Sequence, residues 1–405
     1  MTALVEHSFR HDYGRIVAVL VRRFGVRELA LVEDAVQSAL VAALAAWPAS
    51  PPDDPSAWLY RVAYHRVIQD LRQRDGRARI LAAAPADDSI DSDAPAFPDE
   101  IHDDLLRMLF VCCDGAIPWE SQLVLALKTL CGFSTGEIAH ALFTSDANVQ
   151  KRLGRARDRL RETLDLDAPP LRARLPGVHA VLYLLFNEGY LSAHPEHAIR
   201  RELCDEAIRL ATLLAEHPVG ATPETAALVA LMHLHVARFG ARLDATGGLL
   251  LLEDQDRTRW DRERIALGTV WLQRSAHGDR FSRFHAEAGI AAAHCFAPTF
   301  ADTPWHEIAE LYAMLERIAP SPLHTLNRAV AIAEHRGPVA GLAVLADLAP
   351  PAWLAGSYLW DAVLADLHRR AGHIELAAQH RDRALDSAPT DAVRDLLRTR
   401  WSRRA

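Results

Sequence analysis

Asn148, Lys151, Arg152, Arg155 and Arg159 recur at intervals of three and four residues, so a helix through them projects all five from one side. Val149, Leu153, Ala156, Leu160 and Leu164 fall on the opposite side as an apolar seam. An arginine fork matches the edge of guanine, an asparagine amide matches adenine, and further cations grip phosphates, so this face suits a DNA major groove. The residues just upstream fit the same reading. Ser134 and Glu137 have the spacing of a capping box, Ile138, Ala139 and Leu142 give a short helix its apolar side, and Phe143-Thr-Ser145 makes a turn. Ser145 then caps the basic helix. A capped short helix, a tight turn and a basic helix, in that order, predict a helix-turn-helix.

A second face lies earlier. Ser56 reads as the cap of a helix from 57 to about 74, with Leu59, Ala63, Val67 and Leu71 as its buried seam. Trp58, Arg61, His65, Gln69 and Arg72 share another face, and Arg74, Arg77 and Arg79 follow. Basic side chains interleaved with an aromatic can hold a duplex backbone and stack unpaired bases. The same pattern also fits a plain amphipathic helix with a solvated face.

Other reactive residue types do not assemble into catalytic or metal patterns. His233 and His235 lie near Glu253, Asp254, Asp256 and Asp261, with Glu188 further back, yet two histidines two apart on a helix point to different sides. Helix caps and salt bridges around Trp260 and Arg262 account for these residues better. Cys112, Cys113, Cys131, Cys204 and Cys295 form no CxxC pair and no zinc spacing, and read as small apolar side chains. The expectation is a protein with no cofactor, no metal and no enzymatic activity.

The elements that must carry these faces are helices. Phe9, Tyr13, Ile16, Val17, Leu20, Val21 and Phe24 mark a helix over 9–24. A second runs from about 29 to 47, with Val32, Val36, Ala39, Leu40, Ala43 and Trp47 inward and Asp34, Gln37 and Ser38 outward. Residues 80–104 hold eight carboxylates, three prolines and no Lys or Arg, and read as an acidic linker. Helices resume over 104–165, and beyond Pro169-Pro170 the chain is again almost wholly helical. Strand patterns are essentially absent, so the fold class is all-α. Gly337 and Gly372 each separate two helices, and Leu364, Gly372, Ala377, Ala384 and Pro389 fit a tetratricopeptide repeat, with Trp360 displaced by one and Arg381 in place of an aromatic.

The 405 residues carry a net charge of −8, and the basic charge is nearly all arginine, Lys128 and Lys151 being the two lysines. An acidic protein binds DNA only where its positive charge is local, as it is on the two faces above. No uninterrupted apolar run spans a bilayer and the N-terminus lacks the layout of a signal peptide, so the expectation is a cytoplasmic protein without a membrane partner.

Two segments carry a resemblance. LVEDAVQSALVAALAAWP (31–48) followed by DPSAWLYRVAYHRVIQDLRQR (54–74) resembles the second region of extracytoplasmic-function (ECF) sigma factors of RNA polymerase, and FSTGEIAHALFTSDANVQKRLGRARDRLRE (133–162) resembles their fourth region. The C-terminal half is similar to a subgroup with a long tetratricopeptide-like extension, through AVLYLLFNEGY, RRELCDEAIRLATLLAEHP, LLLLEDQDRTRWDRERIALG and SPLHTLNRAVAIAEHRGP. The resemblance implies a second-region domain over 1–79, the linker over 80–104, a fourth-region helix-turn-helix domain over 105–168 and the extension over 169–405.

It also implies roles. Asp34, Gln37 and Ser38 would dock on the clamp of core RNA polymerase. Trp58, Tyr60, Arg61 and Tyr64 would lie near the opened strand of the −10 element, with His65, Gln69 and Arg72 on its upstream bases. Asn148, Gln150, Lys151, Arg152 and Arg155 would read the −35 element of promoter DNA. The linker would thread the RNA-exit path. This chain starts its recognition helix Thr-Ser-Asp-Ala-Asn where relatives commonly have Val-Pro-Glu-Ala-Thr, which implies a different −35 preference. The extension would bind an unidentified protein or signal and regulate the rest. The alternative is a helix-turn-helix regulator that binds an operator without serving as a sigma subunit.

Overall fold

The computed structural model describes residues 2–48, 50–75, 101–162, 171–192, 198–278 and 280–402. Most of the acidic linker, with Arg77 and Arg79, lies outside these residues, as does Leu164. Every regular element described is helical, apart from one isolated bridge between Leu243 and Leu249, so the fold is all-α. The chain forms two compact units: Met1–Leu185 with His217–Gly220, and Phe186–Glu216 with Ala221–Ala405.

In the first unit, α1 (Thr2–Phe24) packs against α2 (Leu29–Ala46), α3 (Pro55–Asp75) and α4 (Asp104–Cys112). Tyr13, Ile16, Val17, Leu20 and Val21 are buried on α1, and Val32, Val36, Ala39, Leu40, Ala43 and Trp47 are buried on or just after α2, so the sequence stripes face the core. Helix α1 starts earlier than residue 9. Leu59, Ala63 and Val67 of α3 are buried, whereas Leu71 is half-exposed where the helix outruns its neighbours. The cap of α3 is Asp54 rather than Ser56: the Asp54 carboxylate accepts from the Ala57 amide at 2.9 Å, and the Ser56 hydroxyl donates to Asp12 at 2.7 Å. A carboxylate three residues ahead of the free amide out-competes a hydroxyl inside the first turn.

Three further helices follow α4: α5 (Trp119–Thr129), α6 (Thr135–Ala141) and α7 (Asp146–Glu162). Asp103 caps α4 by accepting from the Leu106 amide at 2.8 Å. Gly14 lies where α1 meets the end of α5. A Cβ there would stand 2.0 Å from the Leu130 carbonyl oxygen, an approach that only glycine permits. Residues 171–185 also pack in this unit, since Arg174 pairs with Asp114 at 2.5 Å and donates to the Phe110 carbonyl at 3.1 Å. The division between the units falls inside α8 (Leu175–Tyr190).

The second unit continues with α9 (Arg201–Glu216), α10 (Pro223–Val236), α11 (Arg262–Ser275), α12 (Arg283–Phe296) and α13 (Trp305–Ile318). Helix α10 is apolar all round and forms the centre, with Gly268 of α11 against Leu234. Beyond it, α14 (Pro322–Arg336) and α15 (Pro338–Leu345) are joined by Gly337 at φ 90°; after the short α16 (Ala352–Ala355), α17 (Tyr358–Arg370) and α18 (Ile374–Asp386) are joined by a turn with Gly372 at φ 81°. Ala377 and Ala384 face the core, the second from a fully buried position.

Candidate nucleic-acid interface

Helix α3 presents a row and a pair. Arg61, His65, Gln69 and Arg72 are exposed along one side. Next to them the half-buried rings of Tyr60 and Tyr64 stack with centroids 6.0 Å apart, and the Arg23 guanidinium of α1 lies 4.6 Å over the Tyr64 ring. Trp58 is separated from both, packed edge-on against the buried Trp47 at 5.7 Å. The sequence reading missed Arg23; its position in the last turn of α1 carries no periodic signal for a partner 41 positions away. A cation over one face of Tyr64 leaves a polarised aromatic surface beside a basic row, an arrangement that can hold phosphates and stack a base.

The second face is built by α6, the turn that follows it, and α7. Ser134 accepts from the Glu137 amide at 3.1 Å and Glu137 accepts from the Ser134 amide at 2.7 Å, which closes the capping box. Ser145 accepts from the Asn148 amide at 3.4 Å at the start of α7. Between the helices Phe143 sits at φ 49°, a left-handed turn conformation with its ring more than half exposed. Val149, Leu153, Ala156 and Leu160 are buried beneath α7. Above them Asn148, Gln150, Lys151 and Arg155 are exposed and Arg152 is half-exposed. Among the described residues Lys151, Arg152 and Arg155 form no ion pair, whereas Arg159 is paired with Glu162 at 3.3 Å and Arg161 with Asp158 at 3.8 Å. The unpaired cations are therefore concentrated in the first three turns of α7, the end of a recognition helix that reaches base edges.

Helix α2 carries the third set. Asp34, Gln37 and Ser38 are exposed, with the Ser38 hydroxyl donating to the Asp34 carbonyl at 2.8 Å. Val41 and Leu44 extend the same stripe and are 67% and 48% exposed, an apolar patch that composition alone did not single out. By length and apolar character Val26–Ala46 could cross a membrane, but its other side is the core of this unit.

Beside this stripe Glu33 points the other way. Its buried carboxylate accepts from Thr129 Oγ1 of α5 at 2.8 Å and from Arg157 Nη2 of α7 at 2.6 Å. Burial holds the Glu33 carboxyl above its ordinary range even though Arg157 and Thr129 pull it down. Thus the helix bearing Asp34 and Gln37 is tied directly to the helix bearing Lys151 and Arg155. Sequence reading placed Glu33 nowhere, because a single acid in an apolar stripe reads as an irregularity.

In the second unit two of the carboxylates near His233 and His235 in sequence act as caps. Asp256 accepts from the Thr258 amide at 2.9 Å and Asp261 from the Arg264 amide at 3.0 Å. Glu188 is paired with Arg200 at 3.5 Å. His233 meets Arg264 at 3.4 Å while His235 lies 4.9 Å from the Tyr190 ring, so the two imidazoles do face different ways. Among the described residues no three His, Cys, Asp or Glu side chains group as a metal site would require.

Comparison with known proteins bears on both units. The sigma-70 region 2 family matches residues 9–77, and a family of unknown function matches residues 174–276. An uncharacterized protein of Rhizobium meliloti (strain 1021) is 37% identical over 381 residues, covering 91% of this chain and 88% of that protein. RNA polymerase sigma factor CnrH of Cupriavidus metallidurans is 30% identical over 162 residues, 38% of this chain and 84% of its own length. RNA polymerase sigma factor NccH of Alcaligenes xylosoxydans xylosoxydans is 31% identical over 153 residues, 36% of this chain and 80% of its own. No solved structure matches the chain.

Proposed function

The chain belongs to the RNA polymerase sigma factors of the extracytoplasmic-function class, in the form that carries a long helical C-terminal extension, and from that membership we propose how its parts divide the work. The protein binds core RNA polymerase and promoter DNA in the cytoplasm, and directs the enzyme to a particular set of promoters without catalysis of its own. Residues 1–79 act as the second-region domain, 80–104 as the linker, 105–168 as the fourth-region domain and 169–405 as a tetratricopeptide-like extension that regulates them. The arrangement that carries this reading is the pair of basic faces: the Arg61–Arg72 row with its aromatic pair on α3, and the unpaired cations on the first turns of α7.

In this reading Asp34, Gln37 and Ser38 dock on the polymerase clamp, joined by the exposed Val41 and Leu44. Tyr60, Arg61 and Tyr64 lie at the opened −10 strand, His65, Gln69 and Arg72 on its upstream bases, and Trp58 supports them from its seat on Trp47. Asn148, Gln150, Lys151, Arg152 and Arg155 read the −35 element. Run-off transcription with core polymerase and a promoter library tests the assignment. The expected result is enrichment of one two-part promoter motif; core polymerase that gains no promoter specificity sinks it, and operator binding without transcription would favour a simple helix-turn-helix regulator instead.

A further inference from the structure

The second unit holds a group of arginines that make no salt bridge among the described residues, Asp302 acting on Arg257 only from beyond ion-pair distance. Arg238, Arg242 and Arg257 belong to the segment after α10, and among the described residues none of them meets a carboxylate within ion-pair distance. Their hydrogen bonds go to neutral acceptors. Arg242 donates to the Tyr190 carbonyl, and its guanidinium lies 3.8 Å over the Tyr190 ring. Arg257 donates to the carbonyls of His294 at 2.8 Å and Ala297 at 2.7 Å and to Thr303 Oγ1 at 3.1 Å. Arg238 donates to Gln255 Oε1 at 3.3 Å. Arg238 and Arg257 both face the Trp260 ring, at 5.5 and 4.9 Å. Arg242 and Arg257 are only 7% and 8% exposed, so water screens them little.

Three ring nitrogens in the same group have no hydrogen-bond partner: His235 Nδ1, His294 Nδ1 and Trp260 Nε1. Buried polar atoms are nearly always satisfied, so three in one group are hydrogen-bonding capacity that the protein itself does not use. Protein crowds His235 and His294 so heavily that burial, with the neighbouring arginines, drives each imidazole down to about 3. Both residues nevertheless keep part of their surface accessible. The arginines act on one another as well: Arg238 depresses both His235 and His294 and lowers Arg242 and Arg257. Like charges held together at low exposure, with unused donors beside them, describe an anion site.

We propose that Arg238, Arg242 and Arg257, with His235, His294 and Trp260, form a binding site for a small oxyanion, a phosphate or carboxylate group, in the C-terminal unit. Arg238 is the residue that serves the anion most directly, because it acts on both imidazoles and spends only one hydrogen bond on protein. Arg242 and Arg257 are committed to carbonyls and hold the walls while contributing positive potential. The indole and imidazole N–H groups supply directional donors. The site deepens the regulatory reading of the extension and rests on that reading only for its consequence, a ligand-dependent sigma factor; the binding itself stands apart from it.

The test uses the full chain and two probes, inorganic phosphate and succinate, against potassium chloride at matched ionic strength. Tryptophan fluorescence and the melting temperature are followed as each probe is added. A saturable response to one probe and not to chloride is expected, and which probe gives it distinguishes a phosphate from a carboxylate ligand. Arg238→Gln is expected to raise the half-saturating concentration roughly tenfold or more, the worth of one charge-assisted hydrogen bond. Arg238→Lys keeps the charge without the fork and is expected to fall between. No saturable response of the wild-type chain to either probe overturns the proposal, whatever the variants do. An unchanged half-saturating concentration in a folded Arg238→Gln protein overturns it too. Run-off transcription with and without the effective probe then reads the regulatory consequence separately, so that a bound anion without any change in transcription would fault the regulatory reading and leave the site intact.

Discussion

Replacing Glu33 by alanine strips two partners at once. Thr129 is fully buried and its hydroxyl loses its acceptor, while Arg157 loses its countercharge. Removing one partner of a buried ion pair costs about 3–5 kcal/mol. Here the Arg157 side chain is 31% exposed against 3% for Glu33, so the arginine recovers water and the lower end applies, about 3 kcal/mol. Glu33→Gln keeps the volume and an acceptor for Thr129, and burial already penalises the ionised form, so its cost is expected near 1 kcal/mol. Because the pair ties α2 to α5 and α7, the loss should show as local opening rather than global unfolding. Amide hydrogen exchange reads this: peptides from 29–46, 119–129 and 146–162 should exchange roughly a hundredfold faster in Glu33→Ala. A double-mutant cycle with Arg157→Ala should give a coupling of about 1–3 kcal/mol. Effects of the two single changes that add to within about 0.5 kcal/mol would refute the ion pair as the tie between these helices.

The same carboxyl fixes a pH dependence. A folded-state value above the ordinary 4.5 gives stability that is fully present below 4.5 and lost as pH rises through the folded value, so wild type should gain on Glu33→Gln as pH falls from neutral toward 4.5, read by urea denaturation at each pH. Gly14→Ala should destabilise the first unit by about 1–3 kcal/mol in a thermal melt, since its Cβ would press on the Leu130 carbonyl 2.0 Å away. Lys151→Ala is expected to weaken binding to all promoter sequences alike and to reduce the salt slope of binding by about 1, while Arg155→Ala should relax the choice of base at one −35 position by about 1–3 kcal/mol; a binding-site selection at two salt concentrations checks both. Leu44→Asp should leave the fold intact by circular dichroism and weaken core polymerase binding in a pull-down by about tenfold, because 48% of the side chain is already exposed.

Residues that repeat along one helix were legible in the sequence. The Val149–Leu160 seam and the cations opposite it follow from the 3.6-residue period, and the Ser134–Glu137 box is a local arrangement of four positions, so both needed no knowledge of the rest of the chain. The cap of α3 shows where local reading fails: Ser56 and Asp54 are both suitable caps, and Ser56 is drawn off by Asp12 from another helix. The turns near the C-terminus were likewise visible through Gly337 and Gly372, whose positive φ marks the junctions between successive helices.

The sequence by itself determined an all-helical protein with two basic helical faces, because amphipathic spacing and capping chemistry act over a few residues. Only the tertiary structure decided which charges are available. Glu33 and Arg157 neutralise each other 124 positions apart, Arg23 reaches over Tyr64, and Arg238 and Arg257 share the Trp260 ring with no ion pair among the described residues. Whether a charged side chain is paired, stacked or left for a ligand depends on what the fold brings within a few ångströms of it, and that distance is not a property of any local pattern.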